Sequence, residues 1–204
     1  MAAFSFLTIQ SPSEGSYKES GSKFLAFSFP VSSEDDIKTR IEGLKKKYFD
    51  ATHHCFAWIL GADKSRFRAV DDGEPNHSAG DPILGQIRSK NLTNVLVVVV
   101  RYYGGTKLGV GGLIQAYKTS AEAALHNATI VERDVTQTVE LSFSYNENAE
   151  VMRLIKEYDL KVLSQNYAED CEIKLEVKLA MHDRFLAKLN LLSDLSHKIS
   201  FKEV

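Results

Sequence analysis

The chain of 204 residues has few cysteines, no large excess of charge of either sign and no long hydrophobic run. Its two cysteines, Cys55 and Cys171, are far apart, so no disulfide framework is predicted. A formal net charge of −2 argues against a protein that coats nucleic acid nonspecifically. The apolar runs are too short to span a membrane, and residues 1–10 lack the features of a signal peptide. We therefore expect a cytoplasmic protein without membrane contacts.

Common catalytic and metal-binding motifs are also missing. The sequence contains no Cys-x-x-Cys, His-Glu-x-x-His or Gly-x-Ser-x-Gly. The adjacent His53, His54 and Cys55 cannot chelate one zinc as a unit, because alternate residues of a strand face opposite sides. We interpret Cys55 as a buried cysteine rather than a nucleophile. No cofactor and no metal site are predicted.

Glycine, by contrast, is concentrated in one segment. An unbroken apolar run, Val95 to Val100, predicts a buried strand, and apolar residues at helical spacing follow from Leu113. Between them lie Arg101, Thr106 and Lys107, together with five of the twelve glycines of the chain: Gly104, Gly105, Gly109, Gly111 and Gly112. The segment is neither a dinucleotide fingerprint, since Ile114 replaces the third glycine, nor a P-loop.

Two interpretations of this segment stay open. A glycine-rich loop before a helix directs free backbone amides outward, which favours an anion. The amides of Val110 to Gly112 and the side chains of Arg101 and Lys107 would then bind a phosphate. In the alternative, the glycines only allow the strand and helix to pack closely. Under the first interpretation, Arg101→Glu and Lys107→Glu are expected to abolish binding with little change in stability.

Periodicity predicts an α+β protein of two domains, residues 1–130 and residues 136–204. The first contains strands at 4–9, 24–31, 55–60 and 66–70, a helix at 34–47 that Ser33 caps, and a second short helix after residue 82. The second domain follows the order β-α-β-β-α-β, which is typical of a ferredoxin-like fold. Its hairpin turn is predicted at residues 168–170. Its acidic surface lacks stacking aromatics, which favours a protein partner over direct RNA stacking.

The segment Asp-Asp-Gly-Glu-Pro from Asp71 to Pro75 is typical of a loop. Asp71, Asp72 and Glu74 are oxygen ligands of the kind that divalent cations prefer. In the alternative, they build turns by bonding their own backbone.

This loop, the following Ser-Ala-Gly and the glycine segment together resemble the IMPACT family, including its bacterial YigZ-type members. The resemblance covers most of residues 1–128. It implies that the first domain has the fold of the second domain of ribosomal protein S-five. The second domain would be similar to the last domain of elongation factor G. It also adds Lys23, in the landmark Ser22-Lys23-Phe24, to the candidate site.

The chain departs from the family pattern in the acidic loop. His77 stands where the family has a glycine, and Ser78 keeps the hydroxyl of the usual threonine. The departure at His77 puts a left-handed turn, or the close approach of a ligand, in doubt. His54 likewise stands where an asparagine is common.

The resemblance implies a role in translation, because eukaryotic relatives regulate initiation by competing for a large activator of an initiation-factor kinase. Our leading hypothesis is a non-enzymatic protein that binds RNA, the ribosome or another phosphate-bearing ligand. The binding groove would lie between the glycine segment, the acidic loop with His77 and Ser78, and Lys23. One alternative is a kinase-like enzyme that uses the acidic loop to hold magnesium or as a base. The other is a protein-docking module with a purely structural glycine segment.

Overall fold

The computed structural model describes residues 4–167 and 171–204, which form two compact units. One unit is Phe6–Arg133, and the other is Asp134–Val204 with residues 4–5. The hairpin turn predicted at 168–170 lies outside the described residues. In the described part of the chain, no helix is long and apolar enough to cross a bilayer.

A five-stranded antiparallel sheet organises the first unit. Its order is β2 (Ser13–Glu19), β3 (Ser22–Pro30), β6 (Val95–Tyr102), β4 (His53–Leu60) and β5 (Arg66–Val70). The strands β1 (Ser5–Ile9) and β7 (Ile130–Asp134) form a separate pair. The residues from Val95 to Val100 are completely buried in the central strand β6, which confirms the predicted buried strand.

Helices cover both faces of this sheet. The helices α2 (Gly80–Ser89) and α3 (Gly109–His126) pack on one face with Phe24, Cys55 and Val97. The helix α1 (Glu34–Lys47) packs on the other face with Phe27 and Val98. Its bounds agree with the prediction, and the Ser33 hydroxyl caps it by accepting a hydrogen bond from the Asp36 amide.

The second unit has the predicted β-α-β-β-α-β order. Its elements are β8 (Thr136–Phe143), α4 (Asn148–Glu157), β9 (Lys161–Tyr167), β10 (Cys171–Lys178), α5 (Leu179–Asp194) and β11 (Ile199–Glu203). The antiparallel sheet has the order β11-β8-β10-β9. Alternate residues of β10 bury Ile173, Leu175 and Val177 against the two helices, while the intervening residues stay polar.

Candidate functional site

The glycine segment leads from the end of β6 into the start of α3, and its first half is structural. A Cβ atom on Gly104 would lie 1.9 Å from the backbone carbon of Gly21. The amide of Gly104 donates to the hydroxyl of Ser22 at 3.1 Å. Gly104 is therefore needed for close approach of the loop to the turn between β2 and β3, as the structural interpretation of the glycines requires.

The second half of the segment is open. Leu108 precedes α3 and provides no side-chain cap, so the first amides of the helix have no capping side chain among the described residues. Gly109 has φ +69°, which explains why a glycine stands there. Gly111 has neither a positive φ nor any described neighbouring atom within 4 Å of an ideal Cβ position, and Val110 beside it is half exposed. Neither backbone conformation nor packing therefore accounts for Gly111.

A small cavity adjoins this helix start, with a volume of about 230 Å³. Lys107, Gly112 and Gln115 line one side, and Tyr17, Glu19 and Ser20 of the β2–β3 hairpin line the other. Lys107 and Thr106 are exposed, and no carboxylate of the described residues lies within ion-pair distance of Lys107. Lys107 therefore adds an unpaired positive charge to the open end of α3.

Arg101 is placed differently from what the sequence led us to expect. Its guanidinium is buried and lies 2.5 Å from the carboxylate of Glu74. It also lies 5.4 Å from the ring centre of Phe24 and 5.5 Å from that of Tyr103. Since Glu74 balances its charge inside the protein, Arg101 is a structural cation here and not a free one like Lys107.

The carboxylate of Glu74 connects several buried groups. The hydroxyl of Tyr117 donates to it at 2.7 Å, and His53 Nε2 lies 3.8 Å away. The thiol of Cys55 donates to the Tyr117 oxygen at 3.3 Å. Burial raises the pKa of both Cys55 and Tyr117, so the thiol stays protonated and is a poor nucleophile, as the sequence interpretation had it.

The other two carboxylates of the acidic loop are used for structure. Asp71 accepts hydrogen bonds from the amides of Ala79 and Gly80, at 3.0 and 2.8 Å, and so closes the start of α2. Burial alone would raise the pKa of Asp71, but these bonds and one from the His77 amide lower it. Asp72 accepts a bond from the His54 amide at 2.7 Å.

The three acidic side chains thus have separate partners. Within residues 4–167 and 171–204, no cluster of three or more acidic, histidine or cysteine side chains is arranged to hold a metal ion. Burial lowers the pKa of His54, whose ring lies where an asparagine is common in the family.

His77 keeps the left-handed turn that the departure from glycine put in doubt. Its φ is +64°, and its ring nitrogen Nδ1 lies 2.6 Å from the Asp81 carboxylate. Ser78 donates its hydroxyl to the carbonyl of Pro75 at 2.6 Å. Both residues therefore maintain the loop that leads into α2.

Lys23 lies on the opposite face of the sheet from Arg101. Phe24 is the register partner of Arg101, whereas Lys23 is the partner of Tyr102. Since successive side chains of a strand alternate between faces, Lys23 and Arg101 cannot line one groove. The predicted groove is therefore divided: Lys23 lies on the other face of the sheet, whereas Glu74 of the acidic loop contacts both Arg101 and Tyr117 of α3.

Sequence reasoning missed Ser22, Tyr117 and Tyr103 as neighbours of Arg101. Tyr117 is one of the residues at helical spacing that follow Leu113 in the sequence, and this spacing gave no sign that its hydroxyl would contact Glu74. Tyr103 follows Arg101 after one residue and is 47% exposed beside the glycine segment.

The Impact N-terminal domain family matches residues 20–125, which include the acidic loop and the glycine segment. The chain belongs to the IMPACT family. It is 32% identical over 174 residues to the IMPACT family member YvyE of Bacillus subtilis, across 85% of this chain and 80% of that protein. It is 31% identical over 170 residues to the IMPACT family member YigZ of Escherichia coli, across 82% and 83% of the two chains.

A solved crystal structure of a hypothetical protein has the same fold. It superposes with a TM-score of 0.77 at 27% sequence identity, and the match covers 100% of this chain and 98% of that one. The similarity to this solved structure therefore extends over both units.

Proposed function

We propose that this IMPACT family protein is a translation-associated regulatory protein that binds phosphate groups of RNA at the start of α3. The observation that carries the proposal is the start of α3, where no side chain of the described residues caps the helix, Lys107 is exposed and Gly111 leaves open space at its Cβ position. A glycine at such a position lets a ligand approach the backbone closely. The amides of residues 109–112 would hold the phosphate, with Lys107 and Thr106 beside them.

Arg101 has an indirect role in this proposal. Its buried guanidinium contacts both Glu74 and the ring of Tyr103, so it holds the beginning of the loop in place. The positive charge that a phosphate would meet is that of Lys107. This assignment replaces the expectation that both cations contact the ligand.

The link to translation rests on the family, whose eukaryotic members are implied to regulate initiation through protein contacts. The second unit, with its ferredoxin-like order, is a candidate for such contacts. A kinase-like activity gains no support, because Asp71, Asp72 and Glu74 bind partners of their own. The RNA-binding proposal therefore stands ahead of an enzymatic one.

Fluorescence anisotropy with a labelled single-stranded oligouridylate tests the proposal. Lys107→Glu should lower affinity and should reduce the salt dependence, by about 0.7 in the slope of log K against log salt for each phosphate group that the variant no longer neutralises. Lys118→Glu is the matched control, because Lys118 is exposed further along the same helix. Equal effects of the two substitutions, or no effect of either, would contradict the proposal.

A further inference from the structure

Phe49 is the most exposed large hydrophobic side chain among the described residues, at 83% exposure. It lies between the end of α1 and the start of β4, in a loop whose neighbouring residues are fixed. The ring of Tyr48 packs 5.3 Å from that of Phe27, and Asp50 accepts a hydrogen bond from the Tyr102 hydroxyl at 2.8 Å. The structure thus presents an aromatic ring to solvent from an ordered position.

Lysine residues precede Phe49 in the chain and also lie on the sheet that its loop contacts. Lys46 and Lys47 precede it at the end of α1. On the sheet, Lys18 of β2 pairs with Lys23 of β3, and Lys23 pairs with Tyr102 of β6. Paired residues of neighbouring strands share one face, so Lys18, Lys23 and Tyr102 lie in a row on the same face of the sheet. The hydroxyl of Tyr102 is bonded to Asp50, the residue after Phe49.

We call the surface of Phe49, Lys18, Lys23, Lys46 and Lys47 the Phe49 face. In the part of the chain that the structure describes, no carboxylate lies within ion-pair distance of its four lysines. The ammonium of Lys47 lies over the ring of Tyr48, at 5.1 Å from its centre. The Phe49 face therefore combines an exposed aromatic ring with four lysines that form no ion pair among the described residues, and the Asp50 carboxylate beside the ring is bonded to the Tyr102 hydroxyl.

We propose that the Phe49 face binds single-stranded RNA, with one base stacked on Phe49 and the lysines near the flanking phosphates. Every base has a π-face, and stacking on an aromatic side chain combined with basic residues is typical of single-strand binding. A duplex would keep its bases stacked on one another and leave Phe49 unused. A membrane surface would need several apolar side chains to insert, and Phe49 is the one large apolar side chain of the Phe49 face.

This inference rests on the proposed function in one respect, which is that RNA is the ligand. The surface lies on the α1 face of the sheet, whereas Arg101 lies on the α3 face. The two RNA contacts can therefore be removed separately.

The test compares Phe49→Ala, Phe49→Leu and Phe49→Trp in the full chain, with a labelled oligouridylate and with the duplex it forms with oligoadenylate. Removing one stacked base should weaken single-strand binding about 5- to 100-fold in the alanine and leucine variants. The tryptophan variant should keep the affinity, and duplex binding should not change. Tyr145→Ala is the control, since Tyr145 is 73% exposed in the second unit.

Retained affinity in Phe49→Leu would overturn the stacking proposal in favour of a simple apolar contact. Unchanged affinity of Phe49→Ala for the oligouridylate would overturn it as well. The proposed site at α3 fails separately: it fails if Lys107→Glu binds RNA normally while Phe49→Ala does not. If Phe49→Ala binds RNA normally while Lys107→Glu does not, the Phe49 proposal is overturned and the α3 site is not.

Discussion

The helices α2 and α3 begin in opposite ways, although both follow loops that carry the family resemblance. At the start of α2, the carboxylate of Asp71 satisfies the amides of Ala79 and Gly80, and both residues are buried. At the start of α3, no side chain of the described residues caps the helix, and its first turn has no acidic residue. A side chain thus caps the first amides of α2, whereas the first amides of α3 have no side-chain partner among the described residues.

The same contrast separates two cations of the glycine segment. Arg101 is matched by Glu74 inside the protein, whereas Lys107 is exposed and unpaired within the described residues. One cation of the segment is therefore paired inside the fold, and the other is exposed to solvent. Three pairs of substitutions test this division.

The largest effect is expected from Arg101→Met compared with Lys107→Met, which remove one positive charge each. Losing Arg101 leaves the Glu74 carboxylate buried without its cation, so the free energy of unfolding should fall by about 3–5 kcal/mol. The exposed Lys107 variant should change it by no more than about 0.5 kcal/mol. Urea denaturation measures both values. Similar losses in the two variants would remove the distinction between a structural and a free cation.

A smaller effect is expected when alanine replaces a glycine at each helix start. A Cβ atom on Gly80 would lie 2.5 Å from the backbone nitrogen of Val70, so Gly80→Ala should cost about 1–3 kcal/mol. Gly111→Ala meets open space in a helix and should stabilise the protein by up to about 1 kcal/mol.

The two alanine variants should also differ in RNA binding. Gly111→Ala should weaken oligouridylate binding in spite of its higher stability, because the added methyl group stands where the phosphate approaches. A stabilised variant with unchanged affinity would mean that Gly111 has no part in binding. Thermal unfolding and anisotropy of the same samples give both readouts.

The sequence could predict those parts of the fold and of the candidate site that depend on residues close together in the chain. The bounds of α1 follow from its own cap and its apolar stripe. The bounds of β5 follow from a short segment of strand-forming residues between turns. The strand β2 was missed because Tyr17 is its only large apolar side chain, and pairing with β3 creates it. The partner of Arg101 was missed because Glu74 reaches it only after the sheet and α2 assemble. The open start of α3, by contrast, depends on adjacent residues and was predicted from them.

The smallest expected effect is on the pH dependence of stability, and it tests the cap that Asp71 forms at the start of α2. Hydrogen bonds to the carboxylate of Asp71 hold its folded pKa below that of the unfolded chain, so its stabilising contribution is present above the unfolded pKa, about 3.9. That contribution is lost as the pH falls through the folded pKa. Asp71→Asn should therefore cost about 1 kcal/mol near neutral pH, and the difference from the wild type should shrink below about pH 4.

Urea denaturation of the wild type and Asp71→Asn across this pH range gives the comparison, and Asp50→Asn is a control for an exposed carboxylate that caps no helix. RNA binding at neutral pH should be the same in Asp71→Asn and the wild type, because the start of α3 is untouched. A stability difference that stays constant down to about pH 2 would show that charge plays no part in closing α2. In that case the two helix starts would differ only in hydrogen bonding and not in charge. The expected preference of an anion for the start of α3 would then be weaker.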